Sequence, residues 1–353
     1  MRIDKKAQPG FENIVFEKQH GLNSKEMKAT LILLMSYLLM SLFGISESAV
    51  AQSTLLHSLP AVHTNIQDEP HLSRSFQVQG VPDLRVNLPD GDIDVQFVPD
   101  IREVEVELYT KRSFSLWSGT RSLDTYRIIV QQRGDQIIAS VEDRRSGRSA
   151  RGSNIEFSFV IRVPEEVSAN LRTINGKIAL EGVKGEQFLQ NQTGNLSVKN
   201  TQGDVRAVST TGNITLQNIA GNAFAKSVNG RIQVRNSEGE VRLRSVAGDI
   251  VAEGLSGTLV SGSTSGSITA DFDDVAVGVY METISGNINL TLPKTAGYEL
   301  TGKAMRFDLE GIESSSITSR TLRNRDAKLT IRDGEIPVNL STISGRITVR
   351  ESN

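Results

Sequence analysis

The sequence predicts an all-β protein: a parallel β-solenoid (β-helix) with about eighteen residues per coil, preceded by a β-strand-rich N-terminal portion. Glycine recurs every nine residues, apolar residues alternate with polar ones after each glycine, and the repeat doubles on inspection. A fixed short period indicates one structural unit that buries apolar surface only by stacking on its neighbours. The eleven structural repeat glycines are Gly176, Gly185, Gly194, Gly203, Gly212, Gly221, Gly230, Gly239, Gly248, Gly257 and Gly266.

The residues that follow each glycine predict a short strand. The second and fourth of them are apolar, with the exceptions Gln187 and Ser261, whereas the first and third are mostly polar. Alternation with a period of two indicates a strand with one buried face. Each nine-residue unit therefore supplies one strand and one corner.

The sixth position after each glycine distinguishes two kinds of corner. In the first series this position is Gly or Asn, which tolerate positive φ, so a left-handed corner is predicted. In the second series it is mostly Ser, which predicts a corner lined by hydroxyls. An antiparallel meander has the same alternation but leaves one apolar face uncovered, so a solenoid with Asn or Ser ladders is favoured. The series are Gly182, Asn200, Asn218, Asn236 and Gly254, and Asn191, Ser209, Ser227, Ser245 and Ser263.

The N-terminal extension, residues 1–51, has a pattern that predicts a secretion signal. Lys28 precedes an apolar run over residues 29–45, and Ala49-Val50-Ala51 is a small-x-small cleavage site. We expect translation to start at Met27 and cleavage to follow Ala51; an uncleaved anchor is the alternative. The mature chain is then exported to the periplasm, the cell surface or the extracellular space, with no stable membrane span.

The remainder divides into five segments. Residues 52–74 have the mixed polar composition of a linker, and residues 75–170 form a β-rich N-terminal region or cap. Solenoid repeats occupy residues 171–300. Residues 301–335 are charged and predict an irregular insertion or cap over the open end, and residues 336–353 return to the repeat as a terminal solenoid coil.

Composition excludes several functions. A net charge of −2 gives no field for nucleic acid, and the absence of cysteine removes disulfides and thiolate chemistry. The four histidines, His20, His57, His63 and His71, all precede the folded region, so a Ser-His-Asp triad or a histidine metal site is not expected. Residues after the repeat glycines are too varied for the ligand column of a calcium-binding β-roll. We expect no catalytic residues, cofactor or metal.

One outward column is the candidate binding stripe. Its members lie at the third position of every second repeat, so that aromatic and guanidinium groups alternate and offer apolar and cation–π contacts to a flat sugar or peptide surface. Alternatively, the preceding strands or a neighbouring protomer cover it. The candidate binding stripe is Phe188, Arg206, Phe224, Arg242 and Val260.

Two charged clusters have simpler interpretations. Arg144, Arg145, Arg148 and Arg151 are expected in a solvated loop rather than a phosphate site. The group Asp271, Asp273 and Asp274 is typical of a turn that breaks a strand, although clustered carboxylates also occur in enzymes that cleave polysaccharides and in calcium sites.

The repeated phrase Ser/Thr-x-x-Gly-x-Ile, with the variants Gly203-Asp204-Val205 and Gly248-Asp249-Ile250, resembles the bacterial putative adhesin family DUF4097. The likeness extends over most of the chain past residue 75, but not to residues 301–335. It implies an exported β-solenoid with adhesive or envelope roles and brings no catalytic residues.

Three functions follow from these observations. The first is an exported, non-enzymatic β-solenoid for adhesion or envelope interaction, with a cell-surface protein or polysaccharide as partner. The second is a polysaccharide-active enzyme that uses the carboxylates near Asp271. The third is a structural spacer without ligand. The ligand, the oligomeric state and the hand of the solenoid stay open.

Overall fold

The computed structural model describes residues 69–112, 122–144 and 155–352, which belong to one compact unit, Gln67–Asn353. The predicted signal segment, most of the predicted linker and three of the four loop arginines (Arg145, Arg148 and Arg151) lie outside these residues. Arg144 is described, and its Nε donates to the carbonyl oxygen of Tyr126 at 3.1 Å. Within the described ranges, no helix has the length and apolarity needed to cross a membrane.

The described residues form twenty-four strands and two single-turn 3₁₀ helices, Leu123–Thr125 and Ser314–Ser316. The strands up to the first repeats are β1 (Leu72–Gln77), β2 (Asp83–Asp90), β3 (Ile93–Phe97), β4 (Glu103–Arg112), β5 (Tyr126–Arg133), β6 (Gln136–Asp143), β7 (Ile155–Val163), β8 (Ser168–Asn175) and β9 (Ile178–Glu181). The repeats form β10 (Gln187–Thr193), β11 (Leu196–Gln202), β12 (Val205–Thr211), β13 (Ile214–Ala220), β14 (Ala223–Asn229), β15 (Ile232–Ala247), β16 (Ile250–Ser265), β17 (Ile268–Ser285) and β18 (Ile288–Leu292). The last strands are β19 (Tyr298–Lys303), β20 (Arg306–Glu310), β21 (Ile317–Arg323), β22 (Asp326–Ile331), β23 (Ile336–Ser344) and β24 (Arg346–Glu351).

The strands wind into a parallel solenoid with two sheets. The front sheet runs through β8, β10, β12 and β14 into the second halves of β15, β16 and β17; the back sheet runs through β9, β11 and β13 into their first halves. Ile214, Ile232 and Ile250 are register partners on successive parallel strands, eighteen residues apart, and none is exposed to solvent. The predicted all-β solenoid is confirmed.

The repeat glycines are required because successive coils approach closely at their corners. A Cβ on Gly212 would overlap the carbonyl oxygen of Gly194, one coil earlier, and the φ of Gly212 is +145°. The residue after each glycine adds a second link: Oδ1 of Asn195 accepts from the backbone N–H of Asn213 at 3.0 Å, and Oδ1 of Asn213 accepts from that of Arg231 at 2.9 Å. The Gly-Asn and Gly-Asp pairs thus join the coils.

Both predicted kinds of corner are present. The φ values of Asn200, Asn218 and Asn236 are 53°, 54° and 51°, which confirms the left-handed corner, and their side-chain amides form a ladder at the surface. The other series is buried: Asn191 donates to the carbonyl oxygen of Gly194 at 2.7 Å, and Ser227 donates to that of Gly212 at 3.3 Å.

The N-terminal strands lengthen the solenoid along its axis. The coil β2–β3 pairs in parallel with β8–β9 on one side and with β6–β7 on the other. Beyond it, β4 pairs with β7 and β1, and β5 pairs with β6, all antiparallel. The predicted linker is therefore too long, because Leu72 already begins β1.

The C-terminal predictions need two corrections. Residues 301–335 are not irregular: β19 and β20 form a coil, and β21 and β22 form an antiparallel hairpin against β19. Residues 336–353 do not form the terminal coil in space. The coil β23–β24 lies between β17–β18 and β19–β20 and pairs in parallel with both. Neither of its edges is therefore left unpaired.

The expected turn at Asp271, Asp273 and Asp274 is also wrong. These residues lie within β17, where the register against β16 shifts, and Phe272 between them is buried. Two extra residues make this coil longer: Leu259 pairs with Val279, whereas Gly257 pairs with Val275. The insertion therefore lies between Val275 and Val279, after the polar run.

Candidate ligand-binding groove

The structure brings the predicted stripe together as one column on the front sheet. Phe188 is the register partner of Arg206, Arg206 of Phe224, Phe224 of Arg242, and Arg242 of Val260. Their neighbours in each strand point into the core, so the pleat directs the five side chains outward. Phe188, Phe224 and Val260 are half-buried, whereas both arginines are exposed.

The two phenylalanines are flanked by guanidinium groups. Cζ of Arg206 lies 4.3 Å from the ring centroid of Phe224, and Cζ of Arg172 lies 5.1 Å from that of Phe188. These distances are typical of cation–π contacts, which hold a guanidinium plane in a defined orientation. Arg206 makes no ion pair with any described residue, so its N–H donors stay available to a ligand.

A groove of about 610 Å³ runs along four members of this column, Phe188, Arg206, Phe224 and Arg242. One edge is formed by the residues directly after the repeat glycines, namely Glu186, Asp204, Asn222 and Glu240. Asp204 accepts the backbone N–H of Asn222 at 3.1 Å, Asn222 accepts that of Glu240 at 3.0 Å, and Glu240 accepts from Nε of Arg242 at 2.7 Å. Carboxylate and amide oxygens along an edge suit a ligand that donates hydrogen bonds, such as a polyhydroxyl chain.

A second column borders the stripe on its other side, two residues further along each strand. Its members are Gln190, Val208, Lys226, Arg244, Gly262 and Glu282. Lys226 and Arg244 are register partners in it, and neither forms an ion pair with any residue that the structure describes. The guanidinium of Arg244 extends over Gly262, where its Nη1 would lie 3.1 Å from an added Cβ. The front face thus has an acidic edge, an aromatic centre and a short basic edge that consists of Lys226 and Arg244.

The preceding strands continue the stripe rather than covering it. Asn170 is the register partner of Phe188, and Arg85 that of Asn170. In the other direction, Val260 is followed by Tyr280, which is 40% exposed, and then by Asn339. The eighteen-residue spacing in the sequence leads from Phe188 back to Asn170. It does not lead from Val260 to Tyr280, because the insertion in β17 makes that coil two residues longer. The neighbouring-protomer alternative is not tested.

The carboxylates near Asp271 lie away from this groove, on the back-sheet half of β17. Burial raises the pKa of Asp271, and the negative charges of Asp273 and Glu253 raise it further. Glu253 accepts from Nε of Arg235 at 2.9 Å. Among the described residues, no group of three or more His, Cys, Asp or Glu side chains is placed to hold a metal ion.

Comparison with known proteins gives one family match. The model of the family described as Toastrack DUF4097 matches residues 161–350, more than half of the chain. No curated protein matches the chain.

Two of the crystal structures that match this chain do so at low identity. One, of a putative adhesin from Bacteroides fragilis, is 13% identical, with a TM-score of 0.39, and the match covers 80% of this chain and 96% of that one. The other, of a putative cell adhesion protein from Clostridium sporogenes, is 11% identical, with a TM-score of 0.18, and the match covers 80% of this chain and 100% of that one. Both TM-scores are too low to show a common fold.

Proposed function

This chain belongs to the Toastrack DUF4097 family, and from that premise we propose that it is an exported, non-enzymatic β-solenoid that binds a cell-surface protein or polysaccharide along its front sheet. The observation that carries the proposal is the open groove of about 610 Å³ over the stripe, where aromatic, guanidinium and carboxylate groups repeat from coil to coil. A repeated surface of this kind suits an extended ligand, because the same contacts recur at every second coil.

Export is supported by the sequence. The apolar run after Lys28 and the Ala49-Val50-Ala51 site are typical of a secretion signal. Brief treatment of intact cells with protease, followed by immunoblotting, tests the location. Cleavage on intact cells is expected of an adhesin that reaches the surface, whereas cleavage only after the envelope is opened restricts the protein to envelope interactions.

The binding role is tested with outward-facing substitutions. Protein carrying both Phe188→Ala and Phe224→Ala is compared with wild type for binding to isolated cell envelopes. Val251→Ala, a half-buried residue on the back sheet, is the matched control. We expect the double variant to lose most of its binding and the control to bind like wild type. Lower stability with unchanged binding would support the structural spacer instead.

A second candidate is a polysaccharide-active enzyme, which is favoured by the raised pKa of Asp271 beside Asp273 and Glu253, since general acids require such a shift. Release of reducing ends from envelope or plant polysaccharides, lost in Asp273→Asn, would establish it and contradict the non-enzymatic proposal. Equal and negligible release by both proteins is the expected result.

A further inference from the structure

We infer that the front face binds an extended polysaccharide that carries carboxylates, such as a chain of uronic acids. This inference rests on the proposed binding function and names the class of ligand. It follows from the charge pattern across the sheet, the spacing of the two phenylalanines and the width of the surface.

The basic edge consists of a pair of like charges. Lys226 and Arg244 are directly opposite on neighbouring strands, where like charges destabilise a sheet. Both are exposed, and with Arg206 they place a cation on three successive coils, none of which forms an ion pair with a described residue. The carboxylate in their own column, Glu282, is two coils beyond Arg244. Local conflicts of this type concentrate at functional sites. An anionic ligand would compensate these charges.

The acidic edge restricts which anion fits. Glu186 and Asp204 are neighbours on successive coils, and no described cation forms an ion pair with either. They would repel a ligand that is negative on all sides, such as a nucleic acid or an anionic membrane. Hydroxyl groups, in contrast, donate hydrogen bonds to carboxylates. The ligand therefore presents hydroxyls at this edge and anionic groups at the other.

The centre of the face suits carboxylates and sugar rings. Because the guanidinium of Arg206 is held over the ring of Phe224, the edge of its plane is available for a two-point contact with a carboxylate. Phe188 and Phe224 are separated by two coils, about 9.6 Å. Two pyranose units of an extended chain span a similar length, so Phe188 and Phe224 can contact two sugars that are separated by one sugar.

The shape of the surface suits a narrow ligand. The stripe with its two edges is about four residues of strand wide, roughly 13 Å, and its five members span roughly 19 Å along the coils. A single extended polysaccharide chain fits lengthwise along this strip.

The test measures binding of polygalacturonate oligomers by isothermal titration calorimetry in EDTA, with the fully methyl-esterified oligomers as the neutral counterpart and sulfated dextran as a polyanion without carboxylates. We expect polygalacturonate to bind at least about tenfold more tightly than the other two. The combined Lys226→Gln and Arg244→Gln protein should lose about tenfold in affinity. Lys199→Gln, which removes an exposed charge from the back sheet, should change affinity less than twofold.

Three outcomes overturn the inference. Equal affinity for polygalacturonate and its methyl ester, equal affinity for sulfated dextran, or an unchanged affinity in the Lys226→Gln and Arg244→Gln protein would each exclude a carboxylate-specific site. If Phe188→Ala with Phe224→Ala still abolishes envelope binding, the proposed function stands without this ligand class. If those changes affect neither assay, both proposals fail.

Discussion

Nδ2 of Asn218 donates a hydrogen bond to Oδ1 of Asn200, 2.7 Å away on the preceding coil. Oδ1 of Asn218 in turn accepts from Nδ2 of Asn236 at 3.0 Å. All three residues have positive φ, so the ladder depends on a backbone conformation that asparagine tolerates better than most residues. The ladder links three coils at the same corner.

Two substitutions separate the contribution of the ladder to stability from that of the backbone conformation of Asn218. Asn218→Ala should lower the free energy of unfolding by about 2–3 kcal/mol, because it loses both amide hydrogen bonds and strains the left-handed residue. Asn218→Gly should cost only about 1 kcal/mol, since glycine accepts this φ without strain. Urea unfolding measures both, and equal losses would mean that the conformation contributes nothing.

Gly212→Ala should prevent stable folding of the solenoid, with a cost of more than about 4 kcal/mol. The added methyl would overlap the backbone of Gly194. Gly134→Ala is the matched control, because Gly134 also has positive φ but nothing lies within 4 Å of an added Cβ. We expect the control to cost only about 1–2 kcal/mol in thermal unfolding. Similar costs for both would contradict the stacking explanation.

The stripe should contribute little to stability, as a binding surface requires. Phe224 is half-buried, so Phe224→Ala is expected to cost about 1–2 kcal/mol, including the lost contact with Arg206. Ile232→Ala, at a fully buried position one strand away, should cost about 2–5 kcal/mol. Denaturant titration compares the two. A larger loss for Phe224→Ala would indicate that the stripe is part of the core.

Acid should destabilise the N-terminal strands through Glu107. The hydrogen bond from Arg162 at 2.9 Å lowers the pKa of Glu107 below its ordinary value of 4.5. A lowered folded-state pKa contributes stability that is present above about pH 4.5 and is lost as the pH falls through the folded-state value. Glu107→Gln should therefore unfold at a lower temperature than wild type at pH 7, and the difference should shrink at pH 3. A constant difference would exclude this linkage.

Asp271 contributes a pH dependence of stability opposite in sign to that of Glu107. Its raised pKa means that the charged form is disfavoured in the folded state, so this group costs stability at neutral pH and the cost disappears as the pH falls through the raised value. Asp271→Asn should raise the melting temperature slightly at pH 7. The two proteins should melt alike at pH 3. A lower melting temperature at pH 7 would show that the ionised carboxylate makes a stabilising contact.

The sequence predicted the repeats well because their information is local and periodic. The spacing of Gly176 to Gly266 and the Asn200, Asn218 and Asn236 series led to the coil, the corner and the outward stripe. It predicted poorly where the period stops. The insertion in β17 displaced Tyr280 from the count, and the charged residues 301–335 concealed two coil strands and a hairpin.

Sequence alone determined that the repeats stack, since each nine-residue unit has a single apolar face that only its neighbours can cover. It also placed Phe188 and Phe224 on an outward column, because side chains alternate along a strand. Tertiary structure alone decided the order of coils at both ends, where β2–β3 lies between β6–β7 and β8–β9, and β23–β24 lies between β17–β18 and β19–β20. Strand partners that are far apart in the chain depend on which edges stay open, and a local pattern does not record that.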